Sequence, residues 1–258
     1  VAGRKRVPSP AAGMTALLIV MVFSLVRDEL CRSQTNSCQT CGMSSVAQPH
    51  PTVPAGATEV DVKQALRSAI RSTRSIRSPR VQAEVAERLA KVTIMIPDVA
   101  QASCVALYAS RAGEPGTLPL IEQLVAKGKR VLLPVLGPSL ERGWAEFTDA
   151  EDLRERAPGR PPEPSGPDLG AEALAEADVV LAPALAVDTS GNRLGNGGGW
   201  YDRALGHARP GAPVIALVHA EEIYDGEEHP LPVEPHDRPV DAVATPEGWR
   251  WLRMRAAA

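Results

Sequence analysis

Aromatic side chains are scarce: four Trp, three Tyr and two Phe stand among 258 residues. A core must therefore be assembled from Ala, Val, Leu and Ile. Charge of one sign is lacking too, with 28 Lys and Arg against 31 Asp and Glu. Without a basic excess no nucleic-acid partner is expected, and an anionic ligand has to be held by a local cluster. Cysteine is rare. Cys31, Cys38, Cys41 and Cys104 are all there is, and only Cys104 falls in the globular part. That part has no internal disulfide to draw on, so a reducing, cytoplasmic setting is expected. The long apolar run, residues 14–26, is shorter than the about 20 residues a bilayer-spanning helix needs. Arg27, Asp28 and Glu29 follow it instead of a small-x-small cleavage site, and no membrane partner is expected. The familiar phosphate motifs are missing as well. There is no G-x-x-x-x-G-K followed by Ser or Thr, and the glycines do not fit G-x-G-x-x-G.

What is present suits a globular protein. Hydrophobic residues make up 44%, and the length allows one large domain or two small ones with a real core. The 24 prolines and 21 glycines are spread along the chain and point to many loops. Residues 1–57 read differently from the rest. Arg4, Lys5 and Arg6 precede the apolar run, and Cys31, Cys38, Cys41 and His50 follow it in a spacing that matches no strong zinc pattern. The chain opens on Val1, and Met43 starts a polar, Pro-rich stretch leading into the first good helix. The expectation is a disordered extension, or for residues 1–42 translation from a start site placed too far upstream. Residues 58–258 are then expected to form a single α/β domain.

Thr58 with Asp61 three residues on marks a helix start, and Val62, Leu66 and Ile70 recur at helical spacing. Lys63, Arg67, Arg71 and Arg74 make one side of this helix basic. Ser78-Pro79 opens a second helix, with Val81, Val85 and Leu89 on one face. A strand over 104–108, a helix over 117–127 stopped by Gly128, and a strand over 131–135 make a β-α-β unit. Leu120, Ile121 and Leu124 point the helix inward. The short, continuous apolar strands suit a parallel sheet covered on both faces. The pattern continues with a short strand over 144–147, a helix from about 149, a Pro-rich loop over 157–169 and a short helix over 169–177. Strands over 178–185 and 212–218 follow, with a last one over 240–244. The expected fold class is α/β, an open, mostly parallel sheet flanked by helices in a Rossmann-like three-layer arrangement.

Chemistry concentrates in residues 187–205, where the expected order is strand, glycine loop, helix. In open parallel sheets ligands bind beyond the carboxyl ends of the strands. Gly195, Gly197, Gly198 and Gly199 let backbone N–H groups approach phosphate oxygens, and the helix start behind them adds partial positive charge. Arg193 offers a forked charged donor. Asp202, in the first helical turn, can face a phosphate-bound magnesium ion. Four glycines alone make a flexible turn; Arg193, Trp200, Tyr201 and Asp202 around them point to a ligand loop.

The run Gly191-x-Arg193-Leu194-Gly195-x-Gly197-Gly198-Gly199-x-Tyr201-Asp202-Arg203 resembles the signature of the 5-formyltetrahydrofolate cyclo-ligase family. Features outside the loop extend the resemblance over roughly residues 60–250. Lys63-x-x-x-Arg67 is similar to a helix pair that contacts ATP phosphates in the family. Glu114-x-x-Thr117 is similar to a substrate-side segment, and Pro235-His236-Asp237-x-Pro239-x-Asp241 to a carboxylate segment. The resemblance implies ATP contacts from Lys63, Arg67, Arg193, Leu194, Gly195, Asn196, Gly197, Gly198, Gly199, Trp200 and Tyr201. It implies a folate bordered by Glu114, Asn196, Gly197, Gly198, Gly199 and Trp200, and Mg²⁺ held by Asp202 and Asp237. Trp200 stands where the family often has Tyr, and Asn196 where a larger or charged side chain is common.

The implied reaction turns 5-formyltetrahydrofolate and ATP into 5,10-methenyltetrahydrofolate, ADP and phosphate. No dedicated general acid or base is evident. The partners implied are small molecules, ATP and a reduced folate, acting on a monomer. Two rival readings use the same loop: a sugar-phosphate or CoA-ester enzyme on a related scaffold, and a folate- or nucleotide-binding protein without turnover. His236 reads as structural or exposed, and Cys104 as a buried small apolar residue.

Overall fold

The computed structural model describes residues 47–54, 56–137, 141–156 and 160–253. Cys31, Cys38 and Cys41 lie outside them. Helix α1 (Glu59–Ser75) starts as its sequence dictates. The Thr58 hydroxyl accepts from the Asp61 N–H, and the Asp61 carboxylate accepts from the Thr58 N–H, a reciprocal cap that satisfies two orphan donors. Helix α2 (Pro79–Thr93) is capped by Ser78 with Pro79 in its first turn. It buries Val85 and Leu89, while Val81 of the expected stripe stays exposed. A short helix, α3 (Pro97–Gln101), follows. Helix α4 (Leu118–Ala126) buries Leu120, Ile121 and Leu124 and ends at Gly128, whose φ of 74° only glycine adopts without strain.

Seven strands form the main sheet: β1 (Cys104–Ala106), β2 (Arg130–Leu136), β3 (Arg142–Glu146), β6 (Val179–Pro183), β9 (Val214–Leu217), β11 (Ala242–Thr245) and β12 (Gly248–Trp251). Their order is β12-β11-β9-β6-β1-β2-β3. The five central strands run parallel, and β3 and β12 pair antiparallel at the two edges. The fold is thus a mostly parallel α/β sheet flanked by helices. From β1 the chain continues to β2 on one side and later returns to β6 on the other. The gap between the carboxyl ends of β1 and β6 is therefore a topological switch point, where such sheets bind ligands.

Several elements differ from expectation. The helix expected from about 149 is a turn closed by Asp149, which accepts from the Asp152 N–H. That segment offers the core only Ala150 and Leu153, too narrow a stripe to hold a helix. The Pro-rich loop contains β5 (Pro162–Glu163), paired with β4 (Arg154–Glu155). The helix over 169–177 is a 3-10 helix, Ala171–Glu176. The strand over 178–185 ends at Pro183, and the chain passes into a small second sheet. There β7 (Ala186–Asp188) lies between β8 (Arg193–Leu194) and β10 (Ile223–Tyr224). The last strand is β12, beyond the one expected over 240–244. Ahead of α1, Gln48 Nε2 donates to the carbonyls of Glu221 and Ile223, and the Pro49 carbonyl accepts from the Tyr224 hydroxyl. Residues 48–50 thereby pack against β10.

Candidate active site

A cavity of about 440 Å³ opens over the carboxyl ends of the central strands. Tyr108, Arg111 and Glu114 line it from the loop after β1, Pro134–Leu136 from β2, Arg142 from β3, and Pro183 from β6. Arg193, Gly195, Asn196, Gly198, Gly199, Trp200, Tyr201 and Asp202 close it from the glycine loop.

The loop is delivered by the β7–β8 hairpin, so a hairpin intervenes where strand, loop and helix were expected in direct succession. Asp188, fully buried, anchors the hairpin. Its carboxylate accepts from the Ser190, Asn192 and Leu231 N–H groups and from the Asn192 side-chain amide. Arg193 leaves the hairpin directly into the site. Gly197 has φ of 99°, a conformation that excludes ordinary side chains. Helix α5 (Trp200–Ala204) follows, only five residues long. The loop is held by arginines at its carbonyls. Arg67 Nε donates to Gly195 O at 2.9 Å, Arg71 Nη2 to Asn196 O at 2.8 Å, and Arg203 Nη2 to Gly198 O at 2.8 Å. Burial, and after it the neighbouring Arg71, pulls the Arg67 guanidinium below its ordinary value against the carboxylates Asp237, Glu234 and Asp202.

Charged groups from distant segments meet beside the loop. Arg193 Nη2 donates to Asp202 Oδ1 at 2.5 Å, and the Arg238 N–H donates to the same oxygen. Lys63, only 3% exposed, places Nζ 2.6 Å from both Glu234 Oε2 and Asp237 Oδ2. Asp202 and Asp237 line a second cavity of about 640 Å³ together with His236 and Arg203. Asp202 Oδ2 receives no hydrogen bond among the described residues, and Asp237 Oδ1 has only His236 Nε2 at 3.8 Å. Two carboxylates lining one cavity, each with one oxygen that accepts no hydrogen bond among the described residues, are a donor set that suits a hard divalent cation such as Mg²⁺.

The apolar wall is aromatic. The Trp200 ring lies 5.2 Å from Trp144 and 4.9 Å from Tyr201, edge-on and tilted respectively. Burial pushes the Tyr108 and Tyr201 hydroxyls above the ordinary tyrosine value, so both stay protonated. Asn196 Nδ2 donates to Glu114 Oε1 at 2.8 Å, and Arg111 pairs with the same carboxylate.

Most residues singled out in the sequence gather here, in two groups. Glu114, Asn196, Gly198, Gly199, Trp200, Tyr201, Arg193 and Asp202 line the first cavity. Lys63 and Asp237 form the buried ion pair beside the second, and Arg67 braces the loop between them. Leu194 instead packs with Leu66 and Ile70 in a separate apolar cluster. His236 is exposed. Cys104 is buried, with its thiol pushed up to about 11 by loss of water. Sequence reading missed Tyr108, Arg142 and the Pro134–Leu136 wall. It named Arg71 only as part of a basic stripe. The one-turn spacing of Lys63, Arg67 and Arg71 was the signal for a shared role; nothing in the sequence marks Arg142.

A sequence model described as the 5-formyltetrahydrofolate cyclo-ligase family matches residues 59–246. A 5-formyltetrahydrofolate cyclo-ligase of Mycolicibacterium smegmatis is 43% identical over 148 residues, 55% of this chain and 73% of that one. The Escherichia coli enzyme of the same name is 36% identical over 186 residues, 70% of this chain and 100% of that one. The solved structure of the Aquifex aeolicus 5,10-methenyltetrahydrofolate synthetase superposes with a TM-score of 0.63 at 26% identity. It covers 76% of this chain and 96% of that one.

Proposed function

The chain belongs to the 5-formyltetrahydrofolate cyclo-ligase family, and on that premise we propose that it closes the 5,10-methenyl ring of 5-formyltetrahydrofolate at the expense of ATP, with Mg²⁺, releasing ADP and phosphate. The observation that carries this reading is one cavity in which a hydrogen-bonding pair (Glu114 with Asn196), an aromatic wall (Trp200 with Tyr201) and a charged corner (Arg193 with Asp202) converge at the switch point of the sheet. The first suits a polar heterocycle, the second a flat ring, and the third a phosphate.

A formamide oxygen is a poor leaving group. Its attack on the γ-phosphorus of ATP forms the O–P bond as the bond to ADP breaks. N10 of the folate then attacks the activated carbon, and phosphate departs with the former formyl oxygen, taking up the proton that N10 gives up. The protein's part is to position and to neutralise charge. Glu114, held by Asn196, orients the pterin, and Trp200 and Tyr201 form an aromatic wall for the flat rings of the folate. Arg193, with Lys63 and Arg67 beyond it, lies where phosphates can be met, while Gly195–Gly199 bring backbone close. Asp202 and Asp237 would hold Mg²⁺, which when bound supplies charge neutralisation at the phosphates. No side chain here is placed as a general base, and the sequence of bonds does not demand one. Residues 58–258 act as a single catalytic domain on small-molecule substrates. Among the described residues no helix is long and apolar enough to cross a membrane.

The test is absorbance in the methenyl-folate band with 5-formyltetrahydrofolate, ATP and Mg²⁺. Product should appear with one ADP per ring closed. Absence of product at every ATP concentration would overturn the reading, and ADP release independent of folate would point to a different ATPase.

A further inference from the structure

Arg142 stands at the far wall of the cavity, on edge strand β3, in register with Leu136 at the carboxyl end of β2. Two residues along the same face, Trp144 touches the Trp200 ring. Arg74, Arg130 and Arg193 each hold a carboxylate, but no ion pair reaches Arg142 among the described residues. Its Nε is enclosed and has no hydrogen-bond partner. Loss of water, and then the like charge of Arg203, push its guanidinium below the ordinary value. An anion arriving at this point would relieve both.

The sheet order says which anion. Strands lie about 4.8 Å apart, so β3 stands about 10 Å from β1 and about 14 Å from β6. Arg193 and Asp202, the charged corner suited to phosphate, belong to the β6 side. Glu114 belongs to the β1 side. Between Glu114 and Arg142 run the apolar Val135, Leu136 and Trp200. Across the sheet the lining offers a polar group, an apolar aromatic stretch and a cation without an ion-pair partner among the described residues, with Glu163 of β5 also on the cavity wall. A reduced folate has the same order: pterin, aminobenzoyl ring, glutamate.

We propose that Arg142 binds a carboxylate of the folate's glutamate and so selects for the complete folate over its pteroate fragment. This rests on the folate reading above and assigns the substrate's second end. The Arg142 Nη groups make no hydrogen bond among the described residues, and a guanidinium can take a carboxylate through two parallel N–H···O bonds.

The test is calorimetric titration of the full chain, with Mg²⁺ and a non-hydrolysable ATP analogue present, using 5-formyltetrahydrofolate and 5-formyltetrahydropteroate. Arg142→Gln should weaken folate binding by about ten- to a hundredfold, the range for a lost charge-assisted contact. It should leave pteroate binding within about twofold by the same reasoning. Arg142→Lys, which keeps the charge and guards against a folding artefact, should restore part of the loss. Equal losses on both ligands, no loss on either, or a loss confined to the ATP analogue would overturn the assignment. Turnover assayed in parallel separates the two claims. Folate bound through Arg142 without methenyl product would sink the reaction and keep the carboxylate site. Product formed by an Arg142→Gln variant that still treats both ligands as the parent does would do the reverse. Failure of 5-formyltetrahydrofolate to bind the unaltered chain would remove both.

Discussion

The ammonium of Lys63 sits 2.6 Å from the carboxylate of Asp237, 174 residues away in sequence, and equally close to that of Glu234. Helix α1 and the 234–237 turn are thereby fastened together next to the glycine loop. Burial opposes the Asp237 charge, yet the hydrogen bonds from Lys63 and from the Glu234 N–H prevail and hold its carboxyl below the usual range. Burial likewise opposes the Lys63 charge, and the two carboxylates prevail and raise it. Both groups are ionised at neutral pH. Replacing the cation alone leaves two carboxylates facing each other. Lys63→Met is expected to lower stability by about 2–3 kcal/mol in urea unfolding, since breaking a partly desolvated pair from one side strands its partners. It should also raise KM for ATP. An unchanged midpoint would mean that the pair contributes nothing.

Asp202 shares its Oδ1 with Arg193 and the Arg238 N–H, and its Oδ2 accepts no hydrogen bond among the described residues. If that oxygen serves a magnesium ion, Asp202→Asn should raise the Mg²⁺ concentration for half-maximal activity by about tenfold or more, the effect of weakening one hard anionic donor. Arg193→Gln, which breaks the same pair from the other side, should act mainly on KM for ATP. A Mg²⁺ titration unmoved by Asp202→Asn would remove it from the metal site.

Arg74 and Glu222 form a two-pronged pair in which both side chains are nearly inaccessible, and Arg74 Nη2 also donates to the Ala184 carbonyl. Arg74→Met is expected to cost about 3–5 kcal/mol, the range for stranding one member of a buried pair. The double variant Arg74→Met/Glu222→Gln should lose less than the two single losses together. Additive losses would show that the pair is not coupled.

His219 offers a ring nitrogen as acceptor to the Glu222 N–H, which requires the neutral ring. Burial is the main reason its pKa is lowered from 6.5 to about 4. The folded state then refuses a proton that the unfolded state accepts between those values. Stability should be full above about pH 6.5, fall as pH drops toward 4, and lose roughly 3 kcal/mol in all. The His219→Gln variant should flatten that part of the pH profile measured by urea midpoint, and a slope identical to the parent's would assign the loss to other groups.

Much of this was legible in the chain. Thr58 with Asp61, Ser78-Pro79 and Gly128 act within a few residues of themselves, so their helix ends could be read directly. The continuous apolar runs marked the central strands because a parallel sheet buries both faces. Beyond that, local pattern failed where pairing partners decide. Residues 149–156 are helix-like in composition but have too little apolar surface to dock. Pro183 ends β6 because the chain there is recruited into a second sheet by residues distant in sequence. At the site, Arg193 and Asp202 were evident as types, yet nothing local says that they touch. Arg142 carries no local signal at all, because its place in the cavity follows from the pairing of β3 with β2.

Sequence by itself determined the helix starts, the central strands, the family and the kinds of groups that line the cavity, since capping, periodicity and a long signature are properties of neighbours in the chain. Tertiary structure alone decided that Lys63 meets Asp237 and that Arg142 at the far wall meets no carboxylate among the described residues, because strand order and burial set which charges find partners.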